Sequence, residues 1–92
     1  MSLWRVDLKE EAVKDFASLD KPIRESVVAK LEWFVNNIGQ LPLIPLKGDL
    51  SKLNKLRVGD WRVLYRMNND TLSVEVFHIE HRSKAYKRRK RG

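Results

Sequence analysis

The stretch "KLRVGDWRVLYR", residues 55–66, constrains the fold of this chain more than any other. It holds two segments in which apolar and polar residues alternate, separated by Gly59-Asp60. Such a dipeptide between two alternating segments predicts a β-hairpin with a two-residue turn. Counting outward from the turn gives the register, which pairs Val58 with Trp61, Arg57 with Arg62, Leu56 with Val63, Lys55 with Leu64, Asn54 with Tyr65 and Leu53 with Arg66.

This register divides the hairpin into two faces, because successive side chains of a strand point to opposite sides of the sheet. One face is apolar and suited to pack against helices; it carries Leu56, Val58, Trp61, Val63, Tyr65 and Met67. The other, called the cationic face below, carries Lys55, Arg57, Arg62 and Arg66, with Leu53 and Leu64 between them. The hairpin therefore predicts a sheet with one buried side and one positively charged side.

Arg57 directly opposite Arg62 is unfavourable for folding, since like charges across a strand pair repel each other. Two interpretations are open. In the first, the two guanidinium groups extend into water or are neutralised by Glu75 on the next strand. Cations at a sheet edge also discourage aggregation, which would give them a purely structural use. In the second, the cations form an anion-binding site. Arginine is suited to such a site because its planar group donates two hydrogen bonds to a phosphate at once. We favour the anion site because four cations share this face.

The residues before the hairpin predict one strand followed by two helices. Residues 3–8, "LWRVDL", alternate as a strand, and Asp7 with Glu10 is expected to begin the first helix. Pro22 fits the first turn of the second helix, and Gly39 is expected to end it. Apolar residues recur along one side of each helix, namely Leu8, Ala12, Phe16 and Leu19 in the first, and Ile23, Val27, Leu31, Phe34 or Val35, and Ile38 in the second. The two helices should form a helical hairpin with one apolar side.

The fold class follows from the order of these elements. Residues 39–51 contain two Pro and two Gly and predict a connecting loop. Strands are expected over about 52–58, 61–67 and 72–79, with a second turn at 68–70. The sequence thus predicts an α+β fold in which a small antiparallel β-sheet carries an N-terminal helical hairpin on one face, in the order β-α-α-β-β-β.

Size and composition exclude several classes of protein. The 92 residues suffice for a single domain, 1–92, without a deep internal cavity. The chain has no cysteine, so neither a disulfide framework nor a zinc–thiolate site is possible. No apolar run approaches the roughly 20 residues of a membrane span, and no signal-peptide pattern opens the chain. We expect a cytoplasmic protein with no cofactor and no membrane partner.

The net charge of +7 is concentrated near the C-terminal end. Residues 80–92, the basic tail, hold seven Lys and Arg against one Glu, whereas residues 1–79 hold 12 basic and 11 acidic residues. Such a tail favours a polyanionic partner such as nucleic acid, the ribosome or an acidic protein. By itself it is equally well explained as a solvated segment that maintains solubility.

The segment "HIEHRSKAY", residues 78–86, adds candidate site residues after the last strand. If it is helical, Arg82 and Tyr86 lie four residues apart on one face. An aromatic ring beside guanidinium groups can stack on a base of single-stranded RNA while the cations contact its phosphate. The only two histidines, His78 and His81, lack an accompanying acidic cluster, so we expect no metal site.

Three pieces of this sequence together are typical of one family: "LKGD" before the hairpin, "LRVGDWRVLY" as the hairpin, and "HR" followed by a tyrosine after the last strand. On these residues the chain resembles the RelE/ParE superfamily of toxins from prokaryotic type II toxin–antitoxin systems over nearly its whole length. In that superfamily, RelE-like members are endoribonucleases that cut mRNA in the ribosomal A site. ParE-like members inhibit DNA gyrase and lack the catalytic residues. The resemblance favours the RelE-like activity and keeps gyrase inhibition as the alternative.

The resemblance also implies residue roles. The RelE-like catalytic pattern falls on Lys55, Arg62, Arg82 and Tyr86, with Lys52, Arg57, Arg66 and His81 as further substrate-binding residues. It implies metal-free RNA cleavage in which the ribose 2′-OH attacks the adjacent phosphorus. Lys55 is then the general base, Arg62 with Arg57 stabilises the phosphorane, Arg82 or His81 protonates the leaving oxygen, and Tyr86 stacks on a base. Two positions depart from the pattern, because Leu53 stands where a second basic residue is common and Glu80 where glycine is usual.

The partners implied by the resemblance are a cognate antitoxin protein, the ribosome and mRNA. Trp33 lies off the apolar side of the second helix and is a candidate contact for a protein partner. Packing against the flank of its own domain explains it equally well. A Trp33 side chain buried by the sheet would argue against the partner contact.

Overall fold

The computed structural model describes residues 3–38 and 53–83. These residues form, in chain order, β1 (Arg5–Leu8), α1 (Glu10–Ala17), α2 (Lys21–Asn37), β2 (Asn54–Val58), β3 (Trp61–Asn68) and β4 (Ser73–His81). The predicted α+β class and the order β-α-α-β-β-β are confirmed. The predicted connection over residues 39–51 and the helix end at Gly39 lie outside the described residues.

The first helix begins later than the sequence predicts. Asp7 is the third residue of β1, and Lys9, in an extended conformation, is the residue that precedes the first turn of α1. Glu10 and Glu11 provide the carboxylates of that turn, where the helix dipole favours negative charge. Asp7 instead forms an ion pair with Lys9, with 2.7 Å between carboxylate and ammonium. The expectation that Asp7 starts the helix is therefore wrong.

The sheet has the strand order β1-β4-β3-β2 and is mixed. β2, β3 and β4 form the predicted antiparallel meander. β1 pairs with β4 in parallel, from Arg5 beside Ser73 to Leu8 beside Val76. A parallel pair needs a long connection between its strands, and here the connection contains both helices and the hairpin. The sheet is therefore antiparallel only in its β2–β4 part.

The β2–β3 hairpin has the predicted register. All five observed pairs, from Asn54 opposite Tyr65 to Val58 opposite Trp61, agree with the count from the turn. Gly59 has a φ of +59°. This left-handed conformation is what a two-residue hairpin turn requires, and glycine adopts it without strain. The turn dipeptide thus sets which side chains share a face.

The core lies between the helices and one face of the sheet. Its buried side chains are Ala12 and Leu19 near α1, Val27, Leu31, Phe34 and Ile38 of the second helical segment, and Val63, Tyr65, Val74, Val76 and Ile79 of the sheet. The rings of Phe34 and Tyr65 meet edge to face, 5.1 Å between centroids. Leu56, Val58, Trp61 and Met67 pack against this core, which confirms the predicted apolar face. The cationic face is the opposite side of the same strands.

A β-bulge interrupts the pairing of β3 with β4. Leu64 pairs with His78, whereas the next residue, Tyr65, pairs with Val76, so Phe77 is the extra residue. Beyond the bulge, the backbone N–H of Ile79 donates to the carboxylate of Asp15 in α1 at 3.0 Å. A bulge changes which side chains share a face, and this one sets the orientation of the last residues of β4.

Candidate functional site

A cleft of about 490 Å³ lies at the turn end of the hairpin. Three of the predicted cations line it: Arg57 from β2, Arg62 from β3 and Arg82 directly after β4. Gly59, Asp60, Trp61 and Ser83 line it as well. These residues come together because β3 pairs with both β2 and β4. The arginine cleft, as we call it, is lined by three arginines and is chemically suited to bind a phosphate.

The hairpin turn holds Arg82 at the cleft. The backbone N–H of Arg82 donates to the backbone oxygen of Asp60 at 2.9 Å, and its guanidinium Nη1 lies 3.8 Å from Oδ1 of Asp60. Residues 82 and 83 are helical, and the arrangement of Arg82 with Tyr86 on one helical face stays a prediction. Two predicted site residues, Tyr86 and Lys52, lie outside the described residues.

Arg62 lies between side chains of opposite charge. The register places it opposite Arg57 on β2 and opposite Glu80 on β4. Arg62 is half-buried, Arg57 is exposed, and Glu80 is only 4% exposed. The carboxylate beside Arg62 is therefore that of Glu80, and not that of Glu75, which was one interpretation of the sequence. Repulsion from Arg57 is offset by this attraction on the other side.

Arg66 lies further along the cationic face, outside the lining of the arginine cleft. Its Nη2 is 3.3 Å from Oε1 of Glu75, and its guanidinium lies over the ring of Phe77 at 5.1 Å. The guanidinium of Arg66 thus already has two partners within the protein, Glu75 and Phe77. Its expected part in substrate binding stays a prediction.

Glu75 connects β4 to β3 and to Lys9, the residue between β1 and α1, at this end of the face. Besides Arg66, its carboxylate accepts a hydrogen bond from Asn68 at 3.4 Å and lies 3.4 Å from the Lys9 ammonium. Burial by itself raises the pKa of Glu75, but the hydrogen bonds from Asn68, Arg66 and Lys9 together outweigh it. They hold the pKa below its ordinary value of 4.5. Glu75 is therefore a charged structural residue.

Lys55, the expected general base, is exposed on β2 opposite Leu64. It lies on the same face as Arg57, two residues earlier, and so about 7 Å further along the strand. It does not line the arginine cleft. The structure places Lys55 on the same face as Arg57, on the side of the cleft that leads towards Arg66.

His81 and the cleft arginines are on different sides of the sheet. Its partner in the register is Trp61, a residue of the apolar face, and the two rings meet edge to face at 5.3 Å. The backbone N–H of Ser83 donates to Nδ1 of His81 at 3.2 Å, and the Ser83 hydroxyl lies 3.0 Å from the same nitrogen. Of the two candidates for the proton donor, Arg82 is the one that lines the cleft.

Asp60 is the residue of this site that sequence reasoning missed. Its position beside Gly59 was attributed to turn formation alone. The signal was nevertheless present, because a carboxylate in the turn is two residues from Arg62 and three from Arg57 in the sequence.

Within residues 3–38 and 53–83, no group of three or more His, Cys, Asp or Glu side chains is arranged to hold a metal ion. His78 lies 3.9 Å from Asp15, measured from Nδ1 to Oδ2, and that pair connects β4 to α1. In the same part of the chain, no helix has the length and apolar character that crossing a membrane requires.

Comparison with known proteins agrees with this architecture. The model of the family described as ParE toxin of type II toxin–antitoxin system, parDE, matches residues 6–86. Toxin RelE from Mycobacterium tuberculosis is 42% identical over 85 residues, which cover 91% of this chain and 87% of that protein.

Solved structures of RelE toxins share the fold. The toxin–antitoxin complex RelBE2 from Mycobacterium tuberculosis matches with a TM-score of 0.67 at 25% identity, over 86% of this chain and 98% of that chain. A mutant of Escherichia coli RelE in the free state also matches with a TM-score of 0.67, at 23% identity over 95% of this chain and 93% of that one. By sequence and by fold, the chain belongs to the RelE/ParE superfamily of toxins of type II toxin–antitoxin systems.

Proposed function

We propose that this toxin is a ribosome-dependent endoribonuclease that cuts mRNA and so inhibits translation. The observation that carries the proposal is the convergence of Arg57, Arg62 and Arg82 on one cleft. Guanidinium groups that reach a phosphate bound in such a cleft stabilise the charge of its pentacoordinate transition state. The 42% identity to a protein named Toxin RelE supports the same activity. The proposed action is in the cytoplasm, where the ribosome presents the mRNA.

The proposed reaction uses the RNA itself as the nucleophile. The ribose 2′-oxygen attacks the adjacent phosphorus, the bond from phosphorus to the 5′-oxygen breaks, and a 2′,3′-cyclic phosphate remains. Lys55, in its neutral amine form, accepts the proton of the 2′-OH and becomes an ammonium. Arg57 and Arg62 stabilise the negative charge of the phosphorane. A single face of the hairpin would thus supply both groups.

Arg82 is assigned to the leaving 5′-oxygen. A guanidinium releases its proton poorly at neutral pH, so the assignment is stabilisation of the developing negative charge, with water supplying the proton. His81 is a weaker candidate because its ring packs against Trp61. Tyr86 and Lys52 keep the roles that the resemblance implies: Tyr86 stacks on a base, and Lys52 is a further substrate-binding residue.

A cognate antitoxin is the proposed protein partner. Structures of RelE relatives include RelB–RelE complexes from Mycobacterium tuberculosis and Pyrococcus horikoshii. On this chain the helices expose Val13, Val28 and Trp33, at 52%, 40% and 46%. Exposed apolar side chains of this size fit a protein interface. Since Trp33 is not buried by the sheet, its expected partner contact remains a prediction.

The test of the proposed activity is cell-free translation with the purified toxin, followed by primer extension on the mRNA. New 5′ ends within codons, formed only when ribosomes are present, are the expected result. Intact mRNA under conditions where translation nevertheless stops would contradict cleavage.

The alternative function is non-enzymatic inhibition of DNA gyrase. The observation in its favour is the family-model match, since that model is described by the name ParE. A gyrase supercoiling assay with the same preparation distinguishes the two. Loss of supercoiling without mRNA cleavage would favour the alternative.

A further inference from the structure

The arginine cleft contains a carboxylate of its own. Arg57, Arg62 and Arg82 line it together with Asp60, whose Oδ1 lies 3.8 Å from Nη1 of Arg82. Carboxylate and phosphate oxygens accept hydrogen bonds from a guanidinium in the same geometry. An anion that enters the cleft therefore competes with Asp60 for Arg82.

The contact between these two side chains is suited to exchange. Both are largely exposed, 68% for Arg82 and 70% for Asp60, and an exposed ion pair contributes little to the stability of a fold. The backbone of Arg82 is held separately, through its hydrogen bond to the backbone oxygen of Asp60 at 2.9 Å. The guanidinium can turn to a phosphate while the end of β4 stays in place.

We propose that Asp60 is an intramolecular counterion of the arginine cleft, which holds Arg82 in the free protein and releases it to the phosphate of the bound RNA. The RNA as ligand rests on the proposed function, whereas the exchange itself needs only an anion. Asp60 lowers the affinity of the cleft for every anion that must displace it. An anion that contacts Arg82 alone then binds weakly, and a phosphate that Arg57 and Arg62 also contact binds well enough to overcome the competition. Asp60 is in this sense a specificity-determining residue.

The test uses the full chain and inorganic phosphate as the probe. Asp60→Asn removes the charge and keeps a residue that two-residue turns favour. Asp60→Glu keeps the charge. Asp70→Asn is the matched control, because Asp70 is an exposed aspartate of the β3–β4 turn that does not line the cleft, and the substitution changes the net charge equally.

Phosphate binding is measured by NMR from the arginine side-chain N–H signals. Asp60→Asn should bind phosphate more tightly than the natural sequence, by up to about five-fold, the most expected when a competing exposed ion pair is removed. Asp60→Glu should lie within about two-fold of the natural sequence, and Asp70→Asn should match it. Unchanged binding by Asp60→Asn overturns the proposal, and so does an equal gain in Asp60→Asn and Asp70→Asn.

A second measurement needs no variant. The ¹³C signal of the Asp60 carboxylate in the natural protein should shift as phosphate fills the cleft, because the guanidinium beside it moves away. A signal that stays constant at saturation, or a cleft that takes up no phosphate, overturns the proposal. Failure of mRNA cleavage alone would contradict the proposed function and leave this exchange standing. If mRNA is cleaved but Asp60 has no effect on phosphate binding, the proposed function stands and the proposed exchange is wrong.

Discussion

Arg57 is the residue at which the demands of folding and of the proposed chemistry differ most. It is exposed and faces Arg62, which keeps Glu80 as its neighbour on the other side. Arg57→Gln should relieve the repulsion without removing that attraction. We expect the free energy of unfolding to stay unchanged or to rise by a few tenths of a kcal/mol, measured by urea denaturation. A loss of more than about 1 kcal/mol would show that Arg57 makes a stabilising contact.

Glu75 carries the clearest pH dependence of stability. Its pKa in the folded chain is held below 4.5, because the hydrogen bonds from Asn68, Arg66 and Lys9 outweigh the effect of burial. A carboxyl with a lowered pKa stabilises the fold above the pKa of the unfolded chain, and this contribution is lost as the pH falls through the folded pKa. Glu75→Gln should lower stability at pH 7 by about 1–2 kcal/mol.

The measurement is the unfolding free energy between about pH 3 and pH 7, with the natural sequence and Glu75→Gln side by side. The natural protein should lose stability below pH 4.5, and the variant should lose less over the same interval. Parallel curves for the two proteins would show that other groups cause the acid dependence.

The positions of individual site residues were predictable from the sequence only where the hairpin turn determines them. Gly59-Asp60 fixes the register, so the positions of Lys55, Arg57 and Arg62 on one face follow by counting. The neighbours contributed by β4 do not follow, because Phe77 is an extra residue in that pairing. The sequence offered Glu75 as one carboxylate that could neutralise Arg57 and Arg62, whereas the register places Glu80 opposite Arg62.

At the scale of the elements, the side chain of Asp15 joins α1 to the end of β4, where Glu80 lies and which Arg82 directly follows. Asp15 accepts the backbone N–H of Ile79 at 3.0 Å, just beyond the bulge. Asp15→Ala should cost about 1–3 kcal/mol of stability, since a buried backbone donor loses its acceptor. Asp15→Asn should cost less, because the amide oxygen can still accept. Thermal or denaturant unfolding of both variants tests this, and equal stability of Asp15→Ala and the natural protein would show that water replaces the carboxylate without loss.

The helices and the meander were predictable because their signals are local. Apolar residues at intervals of three and four identify α1 and α2, and turn residues separate β2, β3 and β4. The parallel pairing of β1 with β4 has no such signal, because it joins segments about 68 residues apart. The start of α1 was placed too early because an acidic residue shortly before apolar residues is typical of a helix start. Asp7 fits that pattern although it belongs to β1.

At the scale of the whole molecule, the two sides of the sheet differ in chemistry. The helices cover the apolar face and expose Val13, Val28 and Trp33, whereas the arginine cleft and Lys55 lie with the cationic face. The sequence anticipated this division through the alternation in the hairpin. A protein partner on the helices and an RNA on the cationic face would therefore contact different surfaces. The central claim is that RNA cleavage takes place on the cationic face.

The measurement that tests this claim most directly is primer extension on mRNA from cell-free translation with Arg62→Gln. Arg5→Gln is the control, since it removes the same charge from an exposed residue at the opposite edge of the sheet. Arg62→Gln loses repulsion from Arg57 and attraction to Glu80 together, so its stability should change by less than about 1 kcal/mol. Its cleavage should fall by about 100-fold or more, as is usual when a group that stabilises the charge of the transition state is removed, while Arg5→Gln cleaves like the natural protein. Full cleavage by a folded Arg62→Gln variant would contradict the account.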